Sequence, residues 1–256
     1  EDSLTGFEKY VLDIFPKNVG YLVFSGTVVG ESQTNGTQIS VKDKSGFNIK
    51  SISSNQTGNS VLDPLKSPFS IDFFIKIPEQ ANDNQILVQK KNSLANNFTL
   101  ALSQSSSTKN CELHFGITSG SNFSVVSGSI DKGSFVHIYA MYDLFGDRRT
   151  KLLINDTVHS SSQASSFGTL FYNASDITIG AGEDARIGSV VFNSKQTFSG
   201  SIDDFKYFHS VDPVSKVKKR KVRSFYRDPN DPTLKLYYRF NEPFGTYTGN
   251  NLVLDS

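Results

Sequence analysis

The chain has 256 residues with 26 Lys plus Arg against 25 Asp plus Glu, and its net charge of +1 supplies no overall pull toward nucleic acid or an anionic membrane. The single cysteine, Cys111, cannot close an internal disulfide, and no apolar run reaches the roughly 18 residues that a bilayer span needs. With 21 Phe and 10 Tyr the chain can build a core without disulfides or metal, and its opening at Glu1, with neither Met nor a signal-like segment, fits a processed product or a piece of a longer protein.

Short runs that alternate apolar and polar residues dominate, separated by clusters of Gly, Ser, Asn and Asp, which is the pattern of antiparallel strands with one buried face. In chain order the predicted strands are 21–24, 39–41, 71–77, 98–102, 113–117, 125–127, 135–142, 151–154, 177–179, 190–192, 202–207 and 234–240. In the run Ile71-Asp72-Phe73-Phe74-Ile75-Lys76-Ile77 the odd positions form one apolar row, so they share a face. Asn155-Asp156 between two such runs predicts a tight hairpin, because these residues tolerate positive φ. The Ser-rich stretches 104–109 and 160–168 read as exposed loops.

One helix is predicted, from Pro213 to Arg227, with Asp212 as N-cap, Pro213 in the first turn and Asp228-Pro229 as the stop. It carries Lys216, Lys218, Lys219, Arg220, Lys221, Arg223 and Arg227, which leaves the remainder of the chain net acidic. A solvated helix face accounts for this run; nuclear import, polyanion binding and proteolytic cleavage are the alternatives. The elements together predict an all-β, two-sheet antiparallel β-sandwich with one short connecting helix. The expected units are the sandwich over 1–210, the basic connecting helix over 211–232 and a terminal strand segment over 233–256.

From Ser67 onward the order of segments resembles the concanavalin A-like jelly-roll superfamily, and within it the laminin G-like and pentraxin-like modules. The resemblance is carried by Ser67 to Lys76, Ile86 to Lys90, Phe98 to Leu102, Gly133 to Asp143, Lys151 to Asp156, and above all by Phe198-Ser199-Gly200-Ser201-Ile202-Asp203-Asp204-Phe205-Lys206-Tyr207, which is similar to the family's closing strand. Phe74 and Phe135 stand where the family usually has tryptophan, so the resemblance implies two large core aromatics at these positions and no indole for stacking on sugar. The segment 236–245, with 251–256 after it, resembles the opening of a further module, which implies a tandem array and lets 233–256 begin a following repeat.

The resemblance implies attachment or assembly without catalysis. Sugar-hydrolysing members use a Glu-x-Asp-x-Glu strand that sets carboxylates on one face; this chain has no such run, and Glu112, Glu183 and Glu242 are isolated. His114, His137, His159 and His209 show no metal-ligand spacing, and Cys111 reads as a small buried hydrophobe. Structural calcium is the one ion the resemblance implies, at Asp203 or Asp204. Candidate ligand contacts are loop residues: Asn82 and Asp83 with Asn84, Asp143 with Arg148 and Arg149, and Tyr172 as a stacking face. Six Asn-x-Ser/Thr triplets, at Asn35, Asn55, Asn97, Asn122, Asn155 and Asn173, are about what chance gives in so polar a chain and carry no inference of glycosylation.

The implied protein is a non-enzymatic module of a larger surface or virion protein, such as a phage tail or fibre, outside the cell or on the virion. Its partners would be cell-surface glycans or neighbouring structural proteins within an oligomeric assembly. The alternative is a lectin-like accessory domain of a glycoside-processing enzyme.

Overall fold

The computed structural model describes residues 20–28, 36–43, 60–104, 109–220 and 231–240. In chain order these form β1 (Leu22–Ser25), β2 (Ile39–Val41), β3 (Phe69–Lys76), β4 (Gln85–Ser93), β5 (Asn96–Gln104), β6 (Asn110–Ser119), β7 (Asn122–Asp131), β8 (Phe135–Tyr142), β9 (Thr150–Ile154), β10 (Thr157–Ser160), β11 (Ile177–Ile179), β12 (Ala185–Ile187), β13 (Val190–Phe192), β14 (Gln196–Thr197), β15 (Ser199–Phe208), α1 (Val214–Arg220) and β16 (Leu234–Tyr238). Sheet I runs β1-β15-β3-β8-β9-β10, with β16 also paired to β15. Sheet II runs β2-β11-β4-β5-β6-β7, with the short β14 parallel to β4.

The two sheets stack because their alternating apolar residues have one place to go. Phe69, Ile71, Phe73 and Ile75 of β3 point inward, as do Phe98, Leu100 and Leu102 of β5 and Leu113, Phe115 and Ile117 of β6. The Phe69 ring lies 5.1 Å from Phe98 and 6.2 Å from both Phe115 and Tyr207, at the tilted and edge-on angles that aromatic quadrupoles favour. The hairpin at Asn155-Asp156 forms as the sequence predicts, with Ile154 opposite Thr157 and Asn155 at φ 52°. Cys111 is buried in β6, and burial pushes its thiol pKa up.

Phe74 and Phe135 are not core residues. They occupy the alternate positions of β3 and β8 and project from the outer face of sheet I, where Phe74 is half-buried with its ring 4.9 Å from that of His137. Phe135 is 41% exposed beside Tyr21. The same outer face holds the buried pair Asp72–His137, joined at 2.8 Å, and an apolar patch of Tyr139, Met141 and Leu153 onto which Val217 of α1 docks. The helix is therefore not solvated all round. Its Lys216 and Lys218 face solvent, and Asp212 contacts Lys216 Nζ at 2.9 Å. The predicted continuation to Arg227 lies outside the described residues. β16 pairs antiparallel with β15, and Leu236, Tyr238 and Phe240 enter the main core, so 234–240 belongs to this sandwich; residues 241–256 lie outside the described residues.

The outer face of sheet II is covered over part of its area by the β12–β13 hairpin, which packs Ile187 and Phe192 on Ile86, Ala101 and Val125. Gly116 of β6 permits this contact: a Cβ there would sit 2.8 Å from Ile187 Cγ2. Gly116→Val is accordingly expected to push the hairpin off the sheet and to cost about 1–3 kcal/mol, read as a lower urea midpoint at unchanged far-UV spectrum; an unchanged midpoint would show that the hairpin rests elsewhere.

Candidate functional site

Most of the residues predicted as ligand contacts are committed to the fold. Asn82, between β3 and β4, donates its amide to Thr27 O and Thr197 O, both at 3.0 Å, and so clamps two other segments together. Asp83 pairs with Lys195 at 2.6 Å, and its backbone N–H donates to Gln196 Oε1 at 2.9 Å. The Asn84 amide donates to Asn193 O at 3.2 Å. Asp143 Oδ1 accepts the N–H groups of Phe145 and Gly146 at 3.2 and 2.9 Å, which closes the β8–β9 loop, and Arg149 Nη1 donates to Ser161 O at 3.2 Å. Arg148 is exposed on this loop, at φ 55°. Tyr172 is fully buried, edge-on to Phe98 at 5.6 Å, and offers no stacking face. The structure does not bring these residues together into one site.

Asp203 and Asp204 lie at a bulge in β15, where the register against β3 shifts and Asp204 takes φ 53°. Asp204 forms an ion pair with Lys206. Calcium takes six to eight oxygen ligands, and a carboxylate already neutralised by lysine is a poor start. Among the described residues no group of three or more His, Cys, Asp or Glu gathers around the two aspartates.

A different site emerges at the edge of sheet II that the β12–β13 hairpin leaves open. Gln38 beside β2, Thr178 of β11, Gln89 and Lys91 of β4, Ser175 and Asp176 ahead of β11, and Ala181, Gly182 and Glu183 after it enclose a groove of about 310 Å³. The strand period places Gln89 and Lys91 on the outer face, while Lys90 between them points inward.

The far wall of the groove is fixed by Gln89. Its amide donates to Glu183 O at 2.8 Å, and its Oε1 accepts Glu183 N–H at 2.9 Å, a reciprocal pair that pins the 181–183 loop to the sheet. Gly182 is required there by space, since a Cβ would lie 2.5 Å from Ile86 Cγ2. The charges of the groove are paired internally. Lys91 meets Glu183 at 2.7 Å, and Asp176 is bound by Lys42 and, at 3.1 Å, by the Ser40 hydroxyl. Burial pushes the Asp176 carboxyl up, but hydrogen bonds from Lys42 and Ser40 outweigh it and hold the group below the ordinary carboxylate range. Glu183, isolated in the sequence, is thus a groove residue. Alternation in Ile177-Thr178-Ile179 marks Thr178 as outward-facing; nothing in the sequence marks Gln38 or Glu183 as its neighbours.

Two stacked antiparallel sheets with jelly-roll connections, one outer face partly covered by a helix and the other partly by a hairpin beside a polar groove, define a lectin-type β-sandwich. Residues 50–216 match the laminin G-like family model described as "Concanavalin A-like lectin/glucanases superfamily", and the chain belongs to that superfamily. No curated protein matches the chain. Among solved structures it is similar to a protein of Bacteroides ovatus ATCC 8483 for which carbohydrate binding has been suggested, with 14% identity, TM-score 0.53, and 92% of this chain covered; the chain spans 56% of that protein's length. It is also similar to the CBM40 module of a Ruminococcus gnavus IT-sialidase, solved bound to α2,3-sialyllactose, with 12% identity, TM-score 0.50, and 78% of this chain and 95% of that one covered. A third similar structure is the heptameric pentraxin of Limulus polyphemus, with 16% identity, TM-score 0.47, and 62% and 71% covered.

Asp203 supplies a pH test of the β15 bulge. Its carboxyl is pushed up to about 6, first by burial and then by the adjacent Asp204. An unfolded aspartate titrates near pH 3.9, so the folded chain holds the extra proton between about pH 4 and about pH 6, and stability from this group falls as pH rises through that window. Asp203→Asn removes the loss. The variant is expected to match the wild type near pH 3.5 and, with partial solvation discounted, to exceed it by about 1 kcal/mol at pH 7, roughly 2–4 °C in Tm by calorimetry. An equal gain at both pH values would show that Asp203 does not titrate in this way.

Proposed function

We propose that the protein is a non-catalytic, glycan-recognising attachment module of a larger surface or virion protein, with the sugar seated in the groove between β2, β11, β4 and the 181–183 loop. The single observation that carries this reading is the groove itself. Its walls carry the amide of Gln38 and the hydroxyl of Thr178 beside the Gln89 amide that holds Glu183, and each of its charges is already paired. Such a lining exchanges hydrogen bonds with neutral sugar hydroxyls and gives an isolated ion no uncompensated partner. Two similarly folded proteins, one for which carbohydrate binding has been suggested and a sialidase module bound to α2,3-sialyllactose, support glycan recognition in general.

Glycoside hydrolysis requires one carboxyl that retains a proton beside a second that does not. In the groove Asp176 is held in its ionised form and Glu183 faces Lys91, so neither is set up as the acid. Asp203, whose carboxyl is raised, lies on β15 in the other sheet.

Glycan-array screening of the full chain is expected to return neutral oligosaccharide ligands. Thr178→Trp, which fills the groove from the centre of β11, should weaken the best of them at least tenfold, about 1.4 kcal/mol, at an unchanged unfolding midpoint. Absence of any glycan ligand together with capture of neighbouring structural proteins in a pull-down would replace recognition with assembly. Unimpaired binding by Thr178→Trp would move the site elsewhere.

A further inference from the structure

Lys90 is a lysine in the middle of the core. It sits on β4 opposite Phe98 of β5 and Ile177 of β11, both inward-facing, and its side chain has no exposed surface. Its Nζ lies 2.7 Å from Asp43 Oδ2 and 3.2 Å from Asp63 Oδ1, and it also donates to Ser175 O. Both carboxyl groups are at most 1% exposed. Asp43 accepts further hydrogen bonds from the Ser60 hydroxyl and from Val61 N–H at 3.2 Å, and Asp63 Oδ2 accepts Tyr172 N–H at 3.0 Å. Tyr172 and Tyr207, both buried, border the cluster closely enough to feel the charge of Asp63.

Among the described residues, one amine faces two carboxyl groups in a fully buried site. These are the requirements for amide formation: an amine in contact with a carboxyl, held in place and shielded from water, and a second carboxyl within reach of both to carry protons. We infer that Lys90 and Asp43 become joined by an isopeptide bond formed inside the folded chain, with Asp63 as the proton relay.

In its acid form Asp63 passes its proton to an Asp43 oxygen and takes one from the Lys90 ammonium. The neutral amine attacks Asp43 Cγ, forming the C–N bond. Asp63 then carries a second proton from nitrogen to the Asp43 hydroxyl, the C–O bond breaks, and water leaves. An ammonium and a carboxylate have become an amide and a water, nothing is oxidised or reduced, and Asp63 ends as it began. In the product the amide N–H retains Ser175 O as acceptor, and the one carbonyl oxygen left on Asp43 keeps one of the two donors, Ser60 if Oδ2 stays or Val61 if Oδ1 stays. The bond closes the chain from residue 43 to residue 90, across β11, so that β2 cannot peel from the edge of sheet II.

Intact-mass spectrometry of the purified full chain, followed by tryptic mapping, tests this. The expected mass is the sequence mass less one water, with a branched peptide joining Lys90 to Asp43. Asp43→Asn should lose one ammonia instead, because an amide replaces the acid as acyl donor, whereas Lys90→Met and Asp63→Asn should keep the linear mass. The wild-type and Asp43→Asn measurements stand even where the other variants fail to fold. A folded wild-type chain that keeps its linear mass after prolonged incubation overturns the bond. So does a water loss that maps to an unbranched aspartyl succinimide, and a bond that persists in Asp63→Asn overturns the relay.

Discussion

The groove depends on the Lys90, Asp43 and Asp63 cluster held directly beneath it. Three consecutive residues of β4 divide between the two faces of sheet II: Gln89 and Lys91 outward into the groove, Lys90 inward to Asp43 and Asp63. Desolvating an ammonium and two carboxyl groups costs several kcal/mol per ion, and the cost is met only when every partner stays in place. That condition ties four stretches of chain to one point: β4, the residues after β2, the 60–63 segment, and the turn at 172–175 that leads into β11. The short strands β2 and β11, three residues each, have few ladder hydrogen bonds of their own. Their position at the edge of sheet II rests on this cluster, and the groove exists because they are there.

The two outer faces of the sandwich differ for equally local reasons. On sheet I, Tyr139, Met141 and Leu153 make an apolar patch that water would leave exposed, and Val217 of α1 covers it. The buried Asp72–His137 pair fills the polar positions of the same face. On sheet II the absence of a side chain at Gly116 draws the β12–β13 hairpin over β5, β6 and β7, while the 181–183 loop that leads into it is stopped by Gln89. One face is therefore covered at one apolar patch by a helix and the other over part of its area by a hairpin, and the open strip of sheet II is bordered by polar residues.

The architecture was legible in the sequence because period-two burial is written into each strand separately: Phe69, Ile71, Phe73 and Ile75 identify their face without reference to anything else. The same period already placed Phe74 and Phe135 on the opposite face, but family resemblance at those two positions implied core aromatics, and local alternation prevailed. The site was hidden for the opposite reason. A lysine at an inward position of β4 is read as a strand end, since its partners, Asp43 and Asp63, are distant in the chain and only the three-dimensional register brings them to it. Gln38, Thr178 and Glu183 become neighbours through the same long-range pairing.

The loop residues that polarity singled out illustrate how a sandwich uses its polar side chains. Asn82, Asp143 and Arg149 look available in a sequence, yet each one satisfies backbone groups that the turning chain would otherwise leave without partners. A side chain spent in this way cannot also exchange hydrogen bonds with a ligand without loosening the turn it holds. The strand residue Gln89 is spent in the same way, on the N–H and C=O of Glu183, while Lys91 is paired with the Glu183 carboxylate. In this chain polar side chains of both loops and sheet edge are therefore used first to hold neighbouring backbone in place.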